Sequence, residues 1–108
     1  NNIVSKYDII NPKFIINNNN NDITISAKEG NFINDNKILL KNEVNFKSKK
    51  FRIQSSEVVF DKNNKTAYSK NKSVFSTKKT KISSIGFEIK DNGNLIIFNG
   101  KTKIKIKK

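Results

Sequence analysis

The residue types that most often carry catalysis or bind metals are missing or dispersed. The 108-residue chain has no histidine and no cysteine. It therefore lacks the usual general base, any thiolate nucleophile and the commonest nitrogen and sulfur metal ligands. Its nine acids are scattered, most of them in turn-like segments. Glu29, Glu43, Glu57 and Glu88 recur near the ends of apolar runs. Carboxylates there read as solvated surface groups beside lysines. Gly30, Gly86, Gly93 and Gly100 lie too far apart to build a phosphate-cradling loop. The expectation is a protein that is not an enzyme and holds neither cofactor nor metal.

Charge is the next candidate. Lysine and arginine number 22 against nine acids, a formal net charge of +13. Such a balance suits an anionic partner: nucleic acid, an acidic membrane surface or a phosphorylated glycolipid. Arg52 is the lone arginine. Arginine dominates bidentate phosphate clamping and base-edge readout, so its scarcity speaks against nucleic acid. The chain is also rich in Asn, Ile and Lys, whose codons are AT-rich, so genome composition accounts for much of the charge. A small basic β-domain stacking single-stranded nucleic acid on aromatic rings is the alternative. The phenylalanines fall on the apolar phase beside Ile and Val, where core packing is the simpler reading.

That phase belongs to short strands. Apolar and polar residues alternate in Ile23–Ala27, Val44–Phe46, Phe51–Ile53, Phe87–Ile89 and Ile104–Ile106, the period of a pleated strand with one buried face. Asn34-Asp35-Asn36, Asp61-Lys62-Asn63-Asn64 and Asp91-Asn92-Gly93-Asn94 punctuate them with residues that tolerate left-handed backbone and bond their own main chain. The pattern recurs with a period of roughly 29 residues, in the range of strand-repeat architectures. Each unit runs out, turns and returns. Pro12 makes 9–16 an edge segment, and Asn17 to Asn21 a loop. Lys101, Lys103 and Lys105 alternate with Thr and Ile, as in a terminal strand with one charged face. The whole chain, 1–108, is expected to form a single all-β domain, a rolled antiparallel sheet. Its inward stripe comprises Ile23, Ile25, Ile38, Leu40, Val44, Phe46, Ile53, Phe60, Phe75, Phe87, Ile89, Leu95, Ile97, Ile104 and Ile106. Alternation alone allows either an open groove for acyl chains or a closed core.

The order of these segments resembles the LptC family of lipopolysaccharide-export proteins. Asn11-Pro12-Lys13-Phe14 followed by Ile23-Thr24-Ile25-Ser26-Ala27-Lys28-Glu29-Gly30 is similar to the family's opening. Ile38–Val44 resembles its return strand, and Ile53-Gln54-Ser55-Ser56-Glu57-Val58-Val59-Phe60-Asp61 the stretch after it. Ile82-Ser83-Ser84-Ile85-Gly86-Phe87 resembles a Gly-x-Gly-apolar element, with Ser84 standing where the first glycine is usual. Phe98–Ile104 resembles the closing strand, so the likeness covers about Tyr7 to Lys108. None of these segments is specific by itself; their order is what carries the likeness.

The resemblance implies an incompletely closed β-jellyroll in the periplasm, anchored to the inner membrane in the full-length protein. The chain lacks Met, which is read as a piece of something longer whose anchor helix lies upstream. No segment approaches the roughly 20 apolar residues of a membrane span. The implied ligand is lipopolysaccharide, with the acyl chains of lipid A along the inward stripe. The implied partners are the inner-membrane ABC transporter at the N-terminal edge, around Ile9, Phe14 and Ile16, and an LptA-like bridge at the C-terminal edge, around Lys101, Lys103 and Lys105. Head-to-tail self-association through the same edges is compatible with this. The alternative within the wider family is an LptA-like soluble bridge.

Overall fold

β-Branched and aromatic residues alternating with polar ones have no helical stripe to bury, but they cover one face of a sheet well. The computed structural model describes residues 8–17 and 22–99 and the backbone of Thr102–Ile106. The strands are β1 (Asp8–Ile10), β2 (Lys13–Ile16), β3 (Ile23–Ser26), β4 (Glu29–Phe32), β5 (Lys37–Lys47), β6 (Arg52–Asp61), β7 (Thr66–Ser76), β8 (Thr80–Lys90), β9 (Leu95–Phe98) and β10 (Thr102–Ile106). All pairings are antiparallel, and they join the strands into one sheet that does not close into a barrel. This is the incompletely closed jellyroll expected from the sequence.

The turns follow their side chains. Asn34 Oδ1 accepts from the backbone N–H of Asn36 (2.8 Å) and Lys37 (2.9 Å). Asp61 Oδ1 accepts from Asn63 and Asn64, both at 3.0 Å. The Asn64 N–H lowers the Asp61 pKa against an opposing desolvation, helped by the Asn64 side chain, the Asn63 N–H and the charge of Lys37. At the other end of the strands, Ser48 and Thr77 hydroxyls cap the β5–β6 and β7–β8 turns in the same way.

The long strands are bent midway, and the bends line up. In β5, Lys41 pairs with Glu57 but Val44 with Ser55, so Asn42 and Glu43 bulge, both left-handed (φ 66° and 55°). The β6–β7 register shifts between Ser55 and Val59, and the β7–β8 register between Ser69 and Lys72. In β8 the bend falls at Gly86 (φ 92°), where an added Cβ would stand 2.5 Å from the Ser69 carbonyl oxygen. The N-terminal strands break on the same line. Asn11, left-handed at φ 54°, and buried Pro12 form the corner between β1 and β2, and Ala27-Lys28 that between β3 and β4. Asn11 N–H bonds the Lys28 carbonyl (2.9 Å), and Lys28 N–H that of Asn42 (2.9 Å). Gly30 leaves room for Pro12, whose Cγ would lie 3.2 Å from a Cβ there.

Bulges strand main-chain polar groups inside the fold, and unmet groups there are expensive. Buried serines meet them. Ser69 Oγ donates to the Glu57 carbonyl (2.7 Å) and accepts from Asn71 N–H (3.0 Å). Ser55 Oγ lies 3.1 Å from Ser69 Oγ, and Ser73 Oγ lies 3.0 Å from Ser55 Oγ and 2.9 Å from the Asn71 carbonyl. Ser84 Oγ reaches the Gly86 carbonyl (2.8 Å) and the Asn99 carbonyl (2.6 Å). Ser84 thus leaves the bend intact at the position where the resembled element has its first glycine.

Replacing Gly86 with Ala should destabilise the fold by at least about 2 kcal/mol, since a β-carbon would meet a carbonyl at a left-handed residue. Chemical denaturation measures this. Asp61→Ala should lower the melting temperature at neutral pH. A depressed carboxyl stabilises the fold above its unfolded pKa, and this is lost as pH falls through the folded value. The gap between wild type and Asp61→Ala should therefore close in melts below the ordinary carboxylate range.

Candidate functional site: the interior between two half-sheets

The line of bends folds the sheet into two halves that face each other. One half contains β1, β4, the start of β5 (37–41), the end of β6 (57–61), the start of β7 (66–69), the end of β8 (87–90) and β9. The other contains β2, β3, the rest of β5 to β8 (44–47, 52–55, 73–76, 80–84) and β10. Phenylalanines bridge the gap at three stations. Phe14 of β2 meets Phe60 of β6 (ring centroids 5.3 Å apart), Phe46 of β5 meets Phe87 of β8 (5.6 Å), and Phe75 of β7 meets Phe98 of β9 (5.4 Å). None of these pairs lies on neighbouring strands, so each contact crosses the interior.

Most of the anticipated stripe points into this space. Ile23, Ile25, Ile38, Leu40, Val44, Phe46, Ile53, Phe60, Phe87 and Ile89 are all buried, and Phe75 is half-buried at the rim. Two residues are corrected. Leu95 is 48% exposed, and Ile97 pairs with Glu88 on the outward phase. Ile96 and Phe98, opposite Ile89 and Phe87, point inward instead and pack on the core. The reason is local. Leu95-Ile96-Ile97-Phe98 is an unbroken apolar run, so alternation gives it no phase, and the pairing with β8 decides. Ile16, Val58 and Ala67 are further buried residues, and Phe32 and Phe51 pack against the core. The side chains of Ile104 and Ile106 lie outside the described residues; their backbones pair with Ile82 and Thr80.

The interior ends in unpaired strand edges. Among the described residues β1 pairs only with β4 and β2 only with β3, while β9 and β10 each pair only with β8. Of the residues anticipated at the N-terminal edge, Ile16 is fully buried, and Ile9 and Phe14 are half-buried against the core. What this edge offers a partner is free main chain together with the exposed side chains of Ile10 on β1 and Ile15 on β2. Lys101 and the side chains of Lys103 and Lys105 lie outside the described residues. At one mouth of the interior a hollow of about 290 Å³ is lined by Ile23, Phe51 and Ile96, with Ser48, Gly93, Asn94 and Lys50 at its rim. All eight phenylalanines are buried or half-buried, and the exposed aromatic ring among the described residues is that of Tyr68, which alone gives no run of rings for successive nucleotides to stack on.

A rolled sheet with an apolar interior and free edges still fits many proteins. The decisive finding is a match to the family model described as lipopolysaccharide-assembly, LptC-related, over residues 5–107. The chain belongs to the LptC family. Its general role is lipopolysaccharide transport, and its place is the periplasm in association with the inner membrane. A search of curated proteins gave no match. Among the described residues no helix is long and apolar enough to cross a membrane. Nor does any group of three or more acids there come together as a metal site.

Phe46→Ala should cost about 3–5 kcal/mol, because the ring is fully enclosed and its loss leaves a cavity. Phe75→Ala, at the half-buried rim, should cost distinctly less. Urea denaturation of both variants measures the difference.

Proposed function

We propose that the chain carries lipopolysaccharide by holding the acyl chains of lipid A between its two half-sheets. Phosphates and sugars stay outside. The observation that carries this reading is the continuous apolar interior running from the β1/β2 edge to the β9/β10 edge. The interior is packed in this structure, so loading requires the halves to part. The three phenylalanine bridges are the contacts that separate. Each methylene entering in their place recovers roughly 0.8 kcal/mol, so a chain can replace ring contacts without a large net penalty. Rim lysines such as Lys50 are suited to pair with lipid A phosphates.

Lipid would arrive from the inner-membrane ABC transporter at the β1/β2 edge and leave to an LptA-like bridge at the β9/β10 edge. Edge-to-edge β-pairing would join the domains into one track. Those strands leave main chain available, and Ile10, Ile15 and Leu95 add exposed apolar side chains beside it, in keeping with that mode. The closed interior also supports a second reading, a scaffold whose core never opens.

Photo-crosslinking distinguishes the two. A crosslinking residue at Phe46, Phe60 or Ile96 should capture lipopolysaccharide, while one at Ile97 or Lys62 should not. Ile96 and Ile97 are adjacent in sequence and face opposite sides of β9, so they form the sharpest pair. Equal capture at both, or none at the interior positions, would rule out carriage between the half-sheets.

A further inference from the structure

The charges are segregated in a way that overall composition does not explain. Residues 44–56 and 62–87 contain no acid at all. These segments build the 44–47, 52–55, 73–76 and 80–84 strand portions and the turns that join them. Because the strands are antiparallel, the β5–β6 and β7–β8 turns lie at the same end. Each is a Ser/Thr-Lys-Lys sequence: Ser48-Lys49-Lys50 and Thr77-Lys78-Lys79. Each is held by its own hydroxyl, Ser48 Oγ accepting from Lys50 and Phe51 N–H and Thr77 Oγ1 from Lys79 and Thr80 N–H. Ordered tips therefore present the four turn lysines, all of them exposed.

Behind the tips, exposed Lys47 stands directly across from Arg52, and the same row continues through Ser76 to exposed Lys81. Like charges opposite one another weaken a sheet. The ion pair Lys28–Glu43 (3.2 Å) lies near the bend, and Asp22, two residues before the Thr24–Lys47 pair, is an acid at this end. AT-rich codons raise the number of lysines, but they do not place four of them on two turns at one end of the sheet.

We propose that this end of the roll docks on the anionic phospholipid headgroups of a bilayer. Lysines are compact point charges without the planar fork that grips a single phosphate, so a cluster of them suits a plane of many phosphates. The absence of exposed phenylalanine disfavours a nucleic acid strand in the same place. The hollow at Ile23, Phe51 and Ile96 opens beside the Ser48 turn, so docking would set one mouth of the interior against the headgroups. The inference stands apart from the carriage of lipid, because it concerns the outer surface alone.

Sedimentation with lipid vesicles tests it. The chain should bind vesicles of phosphatidylcholine mixed with phosphatidylglycerol, not phosphatidylcholine alone, and binding should fall as salt rises. At about fivefold per lysine, the K49Q/K50Q/K78Q/K79Q variant should lose on the order of 10²-fold or more in affinity. The variant K28Q/K37Q/K65Q/K90Q removes the same charge elsewhere and should stay within a few-fold of wild type. Matching melting curves would show that both variants are folded. Equal losses in the two variants would reduce the effect to net charge and overturn the proposal. So would failure to bind the anionic vesicles, or tighter binding to single-stranded DNA with the same dependence on the turn lysines.

Discussion

The whole arrangement depends on breaking the hydrogen-bonded ladder along one line without leaving polar groups unmet inside. A flat sheet of these strands would expose its apolar face. Bending every strand at the same level folds that face onto itself. Each break frees carbonyl and amide groups at the most enclosed part of the molecule. The Ser55–Ser69–Ser73 cluster and Ser84 take them up. Asn11, Asn42 and Gly86 supply the left-handed backbone that the corners require. These small and polar residues, rather than the isoleucines, decide that there is an interior.

The interior satisfies two demands that pull apart. Folding wants the half-sheets in contact, and the phenylalanine bridges provide that at both ends and in the middle. A lipid carrier needs the same surfaces to separate. A sheet folded without barrel closure can reconcile them, because its halves are joined covalently only along the bend. Their far margins are held by side-chain contacts that another apolar chain can replace. Free strand edges at both ends then allow the interior of one domain to continue into the next.

Charge follows a different logic. A net +13 says little, since it comes mainly from lysine in a composition rich in Asn, Ile and Lys. Location says more. Glu43 pairs with Lys28 near the bend and Asp61 caps its own turn, while the two lysine turns gather at one end of the strands, with Asp22 as an acid beside them. Four exposed lysines on two turns thus give that end a surplus of positive charge.

By itself the sequence determined the class of fold, most of the inward stripe and the family. Period-two alternation and Asn/Asp turns are local signals, and strands such as Ile38–Val44 and Ile53–Phe60 carry them cleanly. It also marked Asn11, Pro12, Gly30 and Gly86 as motif positions without saying what they do. The tertiary structure decided that they are corners, because only the packing of β1 against β4 and of β7 against β8 shows which backbone must turn there. It placed Ile96 and Phe98 inside and Leu95 and Ile97 outside, since an unbroken apolar run takes its phase from its partner strand. It buried Ile16 on an edge strand, because pairing status belongs to the backbone and burial to the side chain. And it gathered Lys49, Lys50, Lys78 and Lys79, two pairs 29 residues apart in the chain, at one end, because antiparallel strands bring alternate turns together.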